Sequence, residues 1–177
     1  MNKIAIVQNS PVFLDTHKTI ELAVAKVEEA TSNGAELVVF TEAFIPGYPT
    51  WIWRLRPGGD WNLSEELHQR LLTNAVKMES DDLEPLYEAA RKHHVTIVCG
   101  IEERDSKLSQ STLYNTALII GTDGTVLNRH RKLMPTNPER MVWGFGDASG
   151  LKVVDTPVGR IGTLLCWENF MPLARYS

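Results

Sequence analysis

Three residue types in this chain could together make and break a bond to carbon. Glu42 lies just beyond the apolar run ELVVF (36–40), Lys132 closes TVLNRHRK (125–132), and Cys166 closes RIGTLLC (160–166). An acid, an ammonium and a thiol thus each sit at the carboxyl end of a strand-like run, where open α/β sheets place reactive groups. If those strands lie parallel and side by side, all three open into one crevice. A thiol attacks as its thiolate. A nearby ammonium favours that anion, and a carboxylate can take its proton. The same ammonium can stabilise charge that develops on the multiply bonded atom next to the attacked carbon. Glu, Lys and Cys are therefore a sufficient nucleophilic set without histidine.

Each residue also has a plainer reading. A cysteine closing an apolar run is often core. Cys99, in the middle of VTIVCGI with no charged neighbour before it, reads as core outright. Glu42 could be a surface acid, and Lys132 could belong to the solvated charge run RHRK. His93 and His94 sit at an expected helix C-terminus, where imidazole suits the dipole. The five histidines show no ligand spacing with the two cysteines, so neither a metal nor any other cofactor is expected. Gly58–Gly59 lacks the strand–loop–helix setting of a phosphate cradle.

The elements that must position these groups are legible in outline. KIAIVQ reads as a first strand. Asp15 or Thr16 caps a helix over about 16–32, with Ile20, Ala23, Val24, Val27 and Ala30 on one face and Gly34 as its stop. ELVVF is a second buried strand. Residues 43–63 hold three tryptophans among Pro and Gly breaks and read as a long ordered aromatic loop, the kind that usually has a function. A helix starts at Ser64, and an Asp81/Glu84 capping box starts another that ends near His94. VTIVCGI (95–101) is a strand. LYNTALIIG (113–121) pairs with 125–132 across the Gly121–Gly124 turn. LKVVDT and RIGTLLC are strands joined through Pro157 and Gly159, and a last helix starts near Met171. No repeat, linker or low-complexity tract interrupts the chain. The class is α/β or α+β on a mixed sheet.

Composition excludes several partners. The chain has 177 residues, 43% hydrophobic and 23% charged, with a formal net charge of −4, ordinary for a soluble domain. Arg129–Lys132 is too short a basic cluster for a nucleic-acid stripe. No run is long and apolar enough for a membrane helix, and Gln8, Asn9 and Ser10 break the N-terminal stretch before it resembles a signal peptide. Two cysteines give no disulfide framework, so a cytoplasmic protein with reduced thiols is expected.

VVFTEAFIPGYP, HRKLMPTNPERMVWGFGDASGLKVVDTPVGRIG and LLCWENFMPLARY resemble the three signature stretches of the nitrilase family of carbon–nitrogen hydrolases, in order and in spacing. The resemblance covers essentially the whole chain. It implies a four-layer αββα sandwich. It implies Glu42 as general base, Lys132 as stabiliser of the tetrahedral intermediate and Cys166 as nucleophile, with the Trp167 N–H completing the anion hole. Glu139 matches the family's second glutamate, which helps hold the lysine. Tyr48, Pro138, Trp143 and Trp167 match positions that line the substrate pocket. Homo-oligomers, dimers or larger helical assemblies, are implied as well.

RKLMPTNPER, VWGFGD and CWENFMPLARY are similar to true nitrilases more than to amidases or carbamoylases, which implies hydrolysis of a small organic nitrile by water. GDAS (146–149) departs from the pattern: Ala148 stands where the family usually has glycine, which implies strain if that position needs positive φ. The family chain continues well beyond its nucleophile, whereas Ser177 lies eleven residues after Cys166. The expectation is one hydrolase domain over 1–177, C-terminally incomplete. The alternatives are an amidase of the same family, a Cys–His hydrolase using His130, and an inactive hydrolase fragment kept as an interaction module.

Overall fold

The computed structural model describes residues 2–177. Asp15 opens the first helix: its carboxylate accepts from Lys18 N, and α1 runs Thr16–Ser32 before Gly34 at φ +83. Ile20, Ala23 and Val27 form its buried stripe. The strands β1 (Ile4–Val7), β2 (Leu37–Phe40), β3 (Thr96–Arg104), β4 (Leu113–Ile120) and β5 (Val126–Arg131) form one sheet in that spatial order. β1, β2 and β3 are parallel, and β4 and β5 each add antiparallel. β5 therefore runs in the same direction as β2, with two strands between them.

α1 and α3 (Glu84–His93) cover one face of the sheet, where Ile20, Val27, Leu86 and Ala90 meet Val38, Ile97, Cys99 and Leu118. A second apolar cluster forms at the carboxyl end of the strands. There Trp51, Ile52, Leu71, Leu113, Val142 and Trp143 pack together. Trp51 and Ile52 come from a 3₁₀ turn (Thr50–Trp53), and Leu71 comes from α2 (Trp61–Asn74). The opposite sheet face is more open: Ile4 and Ile6 are 56% and 71% exposed. β6 (Val154–Thr156) and β7 (Gly159–Ile161) make a separate hairpin, and the chain then runs from Ile161 to Leu165 along Leu37, Val39, Val98 and Ala117.

Four local expectations need correction. α2 begins at Trp61, three residues before Ser64, because Asp60 braces the preceding turn through Arg56 and Ser64 N already donates to Asp60 O. The Asp81/Glu84 capping box does not form; Leu83 is the N-cap without a side-chain bond, and Glu84 pairs with Arg91 instead. β3 continues three residues past Ile101, since the polar pair Glu102–Glu103 is buried and bonded rather than solvated. β7 stops at Ile161, and no strand among the described residues pairs with Gly162–Leu165. Cys166 therefore ends an extended segment, not a ladder. It opens a 3₁₀ turn (Cys166–Phe170), which α4 (Pro172–Tyr176) follows.

Candidate active site

Glu42 and Lys132 meet although their strands are not neighbours. After β2 the chain bulges over the face of Gly100 and rejoins the same edge of β3, where Ile45 N donates to Gly100 O at 3.1 Å and Glu102 N to Ile45 O at 2.7 Å. A Cβ on Gly100 would collide with Thr41 O and Ala43 N, so only glycine allows this close an approach. The bulge brings Glu42 within reach of β4, and Asn115 of β4 donates to Glu42 Oε1 at 2.6 Å. From the end of β5, Lys132 Nζ donates to the same Oε1 at 3.0 Å. Lys132 N donates to Asn115 O at 2.8 Å, which fixes the lysine backbone on the same strand.

Glu139 completes the lysine's surroundings. It lies in a 3₁₀ turn (Asn137–Met141), and its Oε2 accepts from Lys132 Nζ and from Thr136 N, each at 2.7 Å. Its Oε1 accepts from Tyr48 OH at 2.6 Å, and Tyr48 OH in turn accepts from Trp53 Nε1 at 2.9 Å. Lys132 is 1% exposed and Glu139 2%. Burial pushes the lysine pKa down, but the bond to Glu139 and the charge of Glu42 outweigh it, and the net shift is upward. The ammonium is thus held charged at neutral pH. Burial together with the bond to Glu139 keeps the Tyr48 phenol protonated far above its usual range.

Cys166 is exposed, in contrast to fully buried Cys99, whose thiol burial pushes far up. It has φ +53, a left-handed conformation that side chains rarely adopt and that often marks a functional turn. Cys166 and Glu42 line one crevice of about 410 Å³ with Phe40, Gly100, Ala117 and Asn169. Glu42 thus bonds Lys132 and also lines the crevice with Cys166, by way of a loop that bulges over β3 and not by strand adjacency. Tyr48, Pro138, Trp143 and Trp167 do not line that crevice. Tyr48 and Trp143 stack edge-to-face at 5.3 Å beside the lysine, with Nζ 5.5 Å from the Trp143 ring. Pro138 is half-buried beside Glu139, and Trp167 is 57% exposed against Phe170. Of the loop tryptophans only Trp53 joins this network; Trp51 packs in the second cluster.

Sequence reasoning passed over Asn115, Gly100, Glu102 and Glu168. The signal for Asn115 was an amide inside the apolar run LYNTALII. Glu102 is fully buried, with one oxygen accepting from Trp143 Nε1 at 2.5 Å. Burial drives its pKa well above the usual carboxylate range. His130 faces Glu168 through Nε2 at 2.8 Å, and its Nδ1 has no partner among the described residues. Ala148 has φ +64, the strained position anticipated for it. Among the described residues no cluster of side chains could hold a metal ion, and no helix is long and apolar enough to cross a membrane.

A mixed sheet backed by helices, with a Glu–Lys–Glu cluster and an exposed cysteine at one end of it, defines the class as α/β. The chain belongs to the carbon–nitrogen hydrolase family, whose model matches residues 3–177. It is 43% identical over 176 residues to the aliphatic nitrilase of Rhodococcus rhodochrous, covering 99% of this chain and 46% of that protein. It is 38% identical over 177 residues to the arylacetonitrilase of Aspergillus niger, covering 98% of this chain and 49% of that one. Among solved structures, Saccharomyces cerevisiae Nit3, of branch 10 of the nitrilase superfamily, superposes with a TM-score of 0.75 at 24% identity. That match spans 98% of this chain and 58% of Nit3. The fold is thus of the nitrilase αββα type. The chain spans about half the length of the relatives it matches.

Proposed function

We propose that this chain carries the catalytic set of a nitrilase that converts an apolar organic nitrile and water to a carboxylic acid and ammonia. The observation that carries the reading is the Lys132 ammonium, held between the Glu42 and Glu139 carboxylates, with Glu42 sharing a crevice with the strained Cys166. The nitrilase names of the relatives support it. Glu42 takes the Cys166 proton, and the sulfur attacks the nitrile carbon. The nitrogen takes that proton back, giving a thioimidate, while Lys132 and the Trp167 N–H stabilise the developing negative charge. Glu42 then activates a water that adds to the same carbon. Breaking C–N from this intermediate releases ammonia and leaves a thioester; breaking C–S instead releases the amide. A second water, activated in the same way, frees the acid and restores the thiol. Glu139 holds Lys132 and takes no proton in this path. Tyr48 and Trp143, beside Lys132, together with Pro138 and Trp167, are proposed to wall the substrate beyond the Cys166–Glu42 crevice. No cofactor enters, a homo-oligomer is part of the reading, and two free cysteines suit a cytoplasmic setting.

Ammonia release from phenylacetonitrile and from an aliphatic nitrile tests this. The expected result is release by the wild type that vanishes in Cys166→Ala and in Lys132→Ala. Release that survives Cys166→Ala overturns the assignment. Faster release from phenylacetamide than from phenylacetonitrile moves it to an amidase.

A further inference from the structure

Glu168 follows the nucleophile by two residues, yet the chemistry above gives it nothing to do. It is fully buried. Its Oε2 accepts from Leu165 N at 2.6 Å and faces His130 Nε2 at 2.8 Å, and its Oε1 accepts from Leu133 N at 2.5 Å. Leu165 immediately precedes Cys166, and Leu133 immediately follows Lys132. One carboxylate therefore ties together the backbones next to the thiol and next to the ammonium. Glu168 N also donates to Leu165 O at 3.0 Å, which closes the turn from both sides. Cys166, at φ +53, sits inside that closed turn. Such a conformation persists only where its surroundings over-determine it.

His130 is as buried as Glu168, and its Nδ1 has no partner among the described residues, so the carboxylate is the ring's polar anchor. Burial pushes the Glu168 pKa up. The His130 bond and the Leu165 and Leu133 N–H groups outweigh it and hold the group below the usual carboxylate range. The anion is thus the form that the turn is built around.

We propose that Glu168, braced by His130, is a positioning residue: it holds Cys166 in its strained conformation and in register with Lys132 by binding the backbone beside each. It touches neither substrate nor the reacting atoms. Only the kinetic arm of its test rests on the nitrilase reading.

The test compares Glu168→Gln, His130→Leu and His130→Gln with the wild type. One readout is the rate at which iodoacetamide alkylates Cys166, followed by peptide mass spectrometry with Cys99 as internal reference. The other is kcat and KM for ammonia release from phenylacetonitrile. In Glu168→Gln an NH₂ group must face one of the N–H donors that the carboxylate accepts. Alkylation and kcat are expected to fall by about ten-fold or more, with KM changed by less than about two-fold. His130→Leu should behave alike. His130→Gln, which restores a donor near the Nε2 position, should recover to within about three-fold of the wild type. Wild-type alkylation in Glu168→Gln, or His130→Gln as impaired as His130→Leu, overturns the proposal. So does a melting temperature that falls to the assay temperature in all three variants, since the pair would then merely hold the fold. A wild type that alkylates rapidly but releases no ammonia from any nitrile counts against the nitrilase reading alone, and the alkylation comparison still decides the role of Glu168.

Discussion

At the residue scale the site rests on buried charges of opposite fate. Lys132 keeps its charge because Glu139 and Glu42 each lie within 3.0 Å of it. Removing Lys132 leaves the buried Glu139 and the partly buried Glu42 without their cation, a loss of about 3–5 kcal/mol for a broken buried pair. Glu102 is the reverse case, a carboxyl that burial keeps protonated, with one oxygen on Trp143 and the other unpartnered among the described residues. Its folded pKa lies above the unfolded value of 4.5, so its contribution to stability is fully present below 4.5 and is lost as pH rises through the folded value. Glu102→Gln keeps an acceptor for the indole and does not titrate. The melting temperature of this variant relative to wild type should therefore climb as pH rises above the unfolded value of 4.5. Thermal melts from about pH 5 upward check it, and a constant difference would mean that Glu102 is already ionised in the folded protein.

At the element scale the decisive feature is a loop that bulges over the face of a strand. The segment Thr41–Ile45 passes over Gly100 closely enough to form backbone hydrogen bonds with β3, and this brings Glu42 to Asn115 and Lys132. Gly100→Ala forces a methyl group against the Thr41 carbonyl and the Ala43 amide, both backbone and unable to rotate away. The expected cost is about 3 kcal/mol, the upper range for overpacking a well-packed site. Any folded fraction should have Glu42 displaced and ammonia release cut far more than the Cys166 alkylation rate. Urea melts with both assays check it; a variant with wild-type stability and turnover would show that the bulge is not needed. Gly100 was readable only as a small residue in an apolar run. Its role depends on which backbone lies across it, and no local pattern encodes that.

At the scale of the whole molecule, carboxylates set the response to acid. Burial pushes Glu103 up, but Arg129 and Arg131 outweigh it and hold it below its usual range; Glu168 is likewise held low. Groups with depressed folded values contribute stability above their unfolded value of 4.5, and that stability is lost as pH falls through the folded values. Unfolding monitored by circular dichroism should therefore begin as pH drops below about 4.5, and Glu103→Gln should flatten that limb. An unchanged acid limb in this variant would remove Glu103 from the account. These two carboxylates stitch β3, β4, β5 and the Cys166 turn to one another, so acid should loosen the strand-end side before the helix-backed core.

The sequence by itself determined the apolar runs that became strands, the helix over 16–32, the β4–β5 hairpin and the family. It also showed which residue types could do chemistry, because residue type and short-range periodicity are local properties. Nitrilase-like blocks in the right order were legible for the same reason. Only the tertiary structure decided that Glu42 and Lys132 meet across two intervening strands, that β7 ends at Ile161, and that Glu168 is interior rather than a surface acid. It also decided that the pair Glu102–Glu103 continues β3 instead of ending it. Each of these depends on which distant group satisfies a buried charge or backbone N–H: Arg129 for Glu103, Trp143 for Glu102, and His130 and Leu133 for Glu168. A buried polar group is tolerated only with such a partner. The partner lies tens of residues away along the chain, so folding has to bring it there before the acid can be read as structural or catalytic.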